Sequence, residues 1–210
     1  MRLHLYDPHS PYRPPESSAG RYADHLDDGE IAFDDAQLGR LFARLQQLKL
    51  YDGILIVFAS DHGESLGVYG EAEHGFFIYT AVLHVPLISK MPGPASRPPV
   101  VTEPAGLVDL APTITELCGI PRRFTQSFQG HPLAGVSEHE GAQQGPPVFA
   151  ESYYPRSTFG WHELRTILTP QYRYIDAPQA TIYDLRRDWV ESHNVAAGQP
   201  ALAAALREEL

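Results

Sequence analysis

The residues best suited to chemistry are an acid and an imidazole side by side, Asp61 and His62, between Ser60 and Gly63-Glu64. A second imidazole, His74, follows in Glu73-His74-Gly75, and a third, His9, lies in Asp7-Pro8-His9-Ser10-Pro11-Tyr12. A carboxylate beside a ring nitrogen would point two polar groups into a crevice, and imidazoles carry protons near neutral pH. Each residue also has a plainer reading. Asp61 would cap a turn, His62 would lie at the surface, His9 would be solvated in a proline-stiffened loop, and His74 would be hydrogen-bonded near a sheet.

The element that must position Asp61 and His62 is the run Ile54-Leu55-Ile56-Val57-Phe58 just before them. Five apolar, mostly β-branched residues suit a strand buried on both faces. In open α/β sheets ligands bind outside the carboxyl ends of the strands, so such a strand delivers Asp61 and His62 to a crevice, and Gly63 lets the backbone turn away. Upstream, Met1 to Tyr6 alternates like a strand. Between Asp28 and Lys49, Ile31, Leu38, Leu41, Phe42, Leu45 and Leu48 recur at helical spacing, with Asp27 or Asp28 placed to cap the start. Asp34 and Asp35 fall on this helix and read as a solvated or capping pair. Helix then strand is the unit of an α/β fold.

Downstream, Ser65 to Ala72 is rich in glycine and short polar residues and reads as a mobile loop beside the site. Leu83 to Ser89 reads as a second buried strand with Pro86 marking an edge or bulge. After a proline-rich loop, Pro92 to Pro104, Asp109 is expected to cap a short helix with Pro112 in its first turn and Gly119 at its end. Residues 124–147 read as a surface connection. The segments around 148–152, 166–168, 172–175 and 181–185 then predict a small antiparallel sheet, and a last helix runs from Pro200 to Leu210.

The order Ser60-Asp61-His62-Gly63-Glu64, Glu73-His74-Gly75, Leu83-His84-Val85-Pro86-Leu87-Ile88 and Met91-Pro92-Gly93 resembles the sulfatase family of the alkaline phosphatase superfamily. Four landmarks in sequence within about forty residues make a specific pattern. The resemblance implies metal ligation by Asp61 and His62. It further implies contact of His9 with the sulfate oxygens and of His74 with the leaving-group oxygen. Many relatives have Glu-His where this chain has Val68-Tyr69. Val108-Asp109-Leu110 with Pro112-Thr113, and Ile182-Tyr183-Asp184-Leu185, match further family landmarks.

One family element has no counterpart here. Sulfatases attack their ester with a formylglycine made from a Cys or Ser in a Cys-x-Pro-x-Arg element, and this sequence contains none. Cys118, in Cys118-Gly119-Ile120-Pro121-Arg122, has its proline one position too far on and reads as a buried structural thiol. The family's N-terminal acidic ligands are also lacking, and two protein ligands seldom hold a cation that wants six or more oxygens. The expectation is therefore a C-terminal portion of a sulfatase-like enzyme, inactive alone and complemented by a missing N-terminal half.

Composition narrows the partners. The chain has 210 residues, 43% of them hydrophobic, and a net charge of −10 with scattered basic residues. That is enough for a real core and unlike the clustered positive stripe of a nucleic-acid binder. No apolar run approaches the roughly 20 residues of a membrane span, and the start lacks signal-peptide features. The fold class expected is α/β, an alkaline phosphatase-like mixed sheet flanked by helices over residues 1–146, with a small antiparallel subdomain over 147–210. The function expected is metal-dependent hydrolysis of a small-molecule or glycan sulfate ester. Calcium leads as cofactor, with manganese, magnesium or zinc as alternatives. A phosphate or phosphonate monoester hydrolase, and a non-catalytic remnant or binding module, are the rival functions.

Overall fold

The computed structural model describes residues 1–93, 103–133 and 146–210. Expectations for 94–102 and 134–145, within the proline-rich loop and the surface connection, lie outside the described residues. The described residues form two compact units, Met1–Phe58 with the strand beginning at Leu87, and Ala59–Pro86 with the C-terminal residues through Leu210.

In the first unit a short helix α1 (Glu16–Ala19) precedes the long helix α2 (Leu26–Gln47). The periodicity placed α2 well, but His25 occupies its N-cap without a side-chain bond, and Asp27 and Asp28 lie in the first turn. There their carboxylates face the positive end of the helix dipole. Leu38, Leu41, Phe42 and Leu45 are half-buried, whereas Ile31 is exposed. Met1–Tyr6 forms no strand. Alternation alone does not make one, because an isolated extended segment has no ladder to complete.

Strand β1 (Ile56–Ala59) pairs with β2 (Leu87–Lys90) in a two-stranded sheet. Neither is the doubly buried strand expected: Phe58 is 38% exposed and Ile88 62%. With a single ladder neighbour among the described residues, β1 has no sheet interior to occupy. The segment expected as one strand from Leu83 instead closes a helical turn, α3 (Thr80–Leu83), before β2 begins. Pro86 stands just outside β2, where its missing N–H costs no ladder bond. Lys90 folds back so that Nζ donates to the carbonyls of Tyr51 and Ile54 and lies 4.7 Å above the Tyr51 ring.

The second unit holds α4 (Leu110–Leu117), β3 (Val148–Ser152), α5 (Tyr154–Phe159), β4 (Leu164–Leu168), β5 (Tyr172–Asp176), β6 (Thr181–Asp184) and α6 (Pro200–Glu209). Asp109 precedes α4 as expected, but its carboxylate accepts from the N–H groups of Gly106 and His131, both at 2.9 Å, and so ties two loops together. Gly119, at φ +67°, turns the chain after α4, and Cys118 beside it is exposed. The buried thiol expected there is corrected, since the helix ends at the surface.

Strands β3 to β6 form an antiparallel meander in that order. Pairing of Ile167 with Tyr174 and of Tyr174 with Ile182 puts these three on one face, packed against Leu206 of α6. The other face presents Ile175 and Tyr183 to Ile78, Tyr79 and Leu83. On that second face Arg173 Nε lies 2.6 Å from Glu191 Oε1, with both side chains almost wholly buried. Arg173 also donates to the Ile78 carbonyl at 3.2 Å, and Glu191 Oε2 accepts the Thr80 N–H at 2.7 Å. The ion pair therefore bolts the 78–80 segment onto the sheet. Burial pulls the Arg173 pKa down, and the Glu191 carboxylate opposes it.

Candidate active site

Asp61 and His62 lie where β1 ends, in the second unit. The Gly63 N–H donates to the Val82 carbonyl at 2.6 Å, and a Cβ at position 63 would meet the Ala81 carbonyl oxygen at 2.4 Å. Only glycine fits so close to backbone, so the glycine of Asp-His-Gly is required by packing on α3. Ser60 Oγ donates to the His62 carbonyl at 2.7 Å and fixes the turn.

The His62 Nδ1–H donates to the Gly63 carbonyl at 2.9 Å, which leaves Nε2 as a lone-pair donor toward solvent. That nitrogen lies 3.9 Å from Asp61 Oδ1, on a carboxylate that is 80% exposed. Two lone-pair carriers at this spacing can both touch one cation at the 2.0–2.6 Å typical of metal bonds. They fit two positions of a shell and no more. Among the described residues no group of three His, Cys, Asp or Glu side chains converges as a metal site.

His74 stacks on His62 with ring centroids 4.0 Å apart and planes inclined 29°. Its Nδ1 lies 3.0 Å from Glu64 Oε1, so the carboxylate fixes the ring and turns Nε2 away from it. The structure thus brings Asp61, His62 and His74 together, with Glu64 behind them. His9 belongs to the first unit. Its ring stacks on Tyr6 at 4.8 Å, its Nδ1 approaches the Ser10 carbonyl at 2.6 Å, and its backbone N–H donates to Glu30 Oε2 at 3.2 Å. Glu30, buried on α2, also accepts from the Arg13 N–H and holds both ends of this loop to the helix.

The Ser65–Ala72 loop is not the loosely held segment its composition predicts. Ser65 and Glu71 are buried, the Ser65 and Gly67 N–H groups donate to the carbonyls of Glu73 and Glu71, and the Glu71 carboxylate accepts the N–H groups of Phe76 and Phe77 at 2.7 and 3.2 Å. An acid folded inward onto backbone donors converts a polar segment into a rigid one. Tyr69 stacks on Tyr79 at 4.0 Å and donates to the Val190 carbonyl. Asp34, read as solvated or capping, sits mid-helix in the first unit, where burial, then Asp7 and Glu30, push its pKa up.

Sequence reasoning missed Glu64, Glu71 and Glu30 as positioning groups. Glu64 stood inside the quoted motif, but its partner is ten residues away across a glycine-rich loop, and no spacing rule joins them. Glu30 carried a weak signal, an acid at the start of a helix whose preceding loop holds a candidate histidine.

A family model described as Sulfatase matches residues 1–120. The chain belongs to the sulfatase family. Arylsulfatase K of Homo sapiens is 31% identical over 188 residues, covering 84% of this sulfatase-family chain and 34% of the relative. The chain thus spans about a third of the length of the curated relatives it matches. The phosphonate monoester hydrolase SpPMH of Silicibacter pomeroyi aligns over 87% of the chain and 38% of its own length, with 26% identity and a TM-score of 0.64. A protein solved with its substrate D-glucosamine-2-N,6-O-disulfate aligns over 95% of this chain and 42% of its own, with 23% identity and a TM-score of 0.70. The expected fold class holds: helices with open sheets of the alkaline phosphatase-like sulfatase type. Among the described residues no helix is long and apolar enough to cross a membrane.

Proposed function

We propose that the chain carries part of the active site of a metal-dependent sulfate ester hydrolase. Asp61 and His62 are the metal ligands it contributes, and His9 and His74 contact the ester. In this reading residues 1–146 belong to the α/β part and 147–210 form the C-terminal subdomain. The observation that carries the proposal is the 4.0 Å stack of His62 on His74 with Glu64 at its back. It sets a ring with a free lone pair beside a ring whose orientation is fixed for proton transfer. Calcium, or manganese, magnesium or zinc as an imidazole ligand allows, supplies when bound the charge that polarises the ester oxygens. Asp61 and His62 hold it. His74, as the imidazolium whose Nδ1–H Glu64 holds, would give its Nε2 proton to the departing oxygen and be left as the neutral Nδ1–H ring, and His9 would contact the oxygens of the transferred group.

The relatives support a substrate class. Arylsulfatase K by name, and the neighbour whose title gives glucosamine disulfate as its substrate, support a sulfated aryl or glycan ester. A phosphonate monoester is the second reading, favoured by the 26% identical hydrolase. The test supplies the chain with the N-terminal half of a sulfatase and titrates divalent ions by calorimetry, then assays an aryl sulfate against an aryl phosphonate. Asp61→Ala should abolish ion binding and Asp34→Ala should leave it unchanged. Equal affinity in both variants sinks the ligand assignment, and faster turnover of the phosphonate selects the second reading.

A further inference from the structure

Beside His74 in the second unit lies an open cleft of about 500 Å³. That size suits one ring of a small ligand with room for its substituents. One wall is Phe76, and the other is made by Tyr154 and Phe159 of α5 and by Trp161 just beyond it. Phe76 meets Trp161 edge-on at 5.5 Å, and Phe159 tilts against Trp161 at 5.2 Å. The rings form a corner whose outer faces are open: Trp161 is 60% exposed and Phe159 51%.

This corner is built rather than incidental. Pro155 lies in the first turn of α5, and Gly160 ends it at φ +67°, with the Gly160 and Trp161 N–H groups donating to the carbonyls of Arg156 and Pro155. That left-handed cap swings Trp161 back over its own helix. Ser152 Oγ donates to the Gly75 carbonyl at 2.6 Å, which ties the end of β3 to the loop that carries His74. Both walls of the cleft are therefore held to the same strand end.

We propose that this cleft is the subsite for the alcohol part of the ester and that it takes an uncharged six-membered ring, sugar or aryl. Aromatic faces bind the apolar face of such a ring. The Glu71 carboxylate is folded inward onto backbone N–H groups, so the acid exposed beside His74 is Glu73, whose negative charge repels a second sulfate on the same ring. Trp161 and Phe159 are the specificity-determining residues. The subsite rests on the sulfatase reading for its biological use, but its occupancy requires neither metal nor nucleophile.

The test is saturation-transfer NMR on the 210-residue chain with methyl β-D-glucopyranoside, phenol and D-glucosamine-2-N,6-O-disulfate as probes. At least one neutral ring should bind, and whichever does names the source. Trp161→Ala should weaken binding at least tenfold, Trp161→Phe less than threefold, and Trp189→Phe not at all. Should Trp161→Ala fail to fold, Trp161→Leu keeps bulk without a π face and carries the same expectation. Glu73→Gln should raise binding of the disulfated ring severalfold. Four results overturn the subsite: no binding by either neutral ring, binding indifferent to Trp161, tighter binding of the disulfated ring, or loss of ring binding when a sulfatase N-terminal half is added and covers the cleft. Any of them leaves the ion-binding and turnover tests above untouched, so the two readings fail separately.

Discussion

In the proposed site Glu64 would act on chemistry through His74. Its carboxylate at 3.0 Å from Nδ1 decides which ring nitrogen faces outward, so removing it should cost orientation while removing His74 costs the proton itself. With a sulfatase N-terminal half supplied, His74→Ala should slow an alkyl sulfate by about 10²- to 10⁴-fold and a 4-nitrophenyl sulfate far less, because a good leaving group needs no acid. Glu64→Gln should fall between the two. Equal losses on both esters would return His74 to a structural role, and steady-state assays of both esters decide it. At this scale the sequence was informative where motif and packing coincide. Asp61, His62 and His74 lie together, and Gly63 is demanded by the carbonyl of Ala81. Glu64 and Glu71 were not legible and Glu30 only weakly so, because each meets its partner across a loop and the backbone N–H groups that Glu71 and Glu30 accept from carry no sequence signature.

Among the elements, legibility tracked how self-sufficient each one is. The helix α2 and the meander β3–β6 satisfy their hydrogen bonds locally or with the next strand, and periodicity found both. Met1–Tyr6, β1 and β2 depend on remote neighbours, and there the expectation of strand or of two-sided burial failed. The meander is held to its surroundings by charge on both faces. Replacing Glu191 with Leu leaves Arg173 buried and unpaired and should cost about 3–5 kcal/mol, while Arg173→Met with Glu191→Leu should recover much of the loss. Urea denaturation of the two variants checks this; a double variant no better than the single one refutes it. On the opposite face Asp176 accepts from Arg165 at 2.7 Å, Arg207 at 2.8 Å and the Tyr174 hydroxyl at 3.1 Å. Burial would raise its pKa, but these bonds outweigh burial and hold it below the usual carboxylate value. A carboxyl depressed in the folded state contributes stability in full above the unfolded value of about 3.9 and loses it as pH falls through the folded one. Asp176→Asn should therefore destabilise the protein at pH 7 by about 1–3 kcal/mol and by progressively less below pH 4. Denaturation midpoints measured from pH 7 to pH 2 should converge; parallel curves would deny Asp176 that role.

For the molecule as a whole, the two-stranded sheet and the net charge of −10 pull in opposite directions. Two strands alone are marginal, and exposed Phe58, Leu87 and Ile88 on them offer an apolar strip to another chain. Like charge keeps chains apart at low salt and is screened as salt rises. Light scattering should show association that grows with ionic strength, and Ile88→Lys should reduce it without changing the circular dichroism spectrum. Salt-independent association would point to another surface. The buried pair that joins residues 173 and 191 also constrains how this chain can drift between lineages. A change at either position strands a charge, so substitutions there should be tolerated as a pair and not singly, the route between pairings passing through a weakened intermediate. Position 80 enters the same junction through its backbone N–H alone. Its buried hydroxyl makes no hydrogen bond among the described residues, so another small residue at position 80 should be tolerated where a single change at 173 or 191 is not.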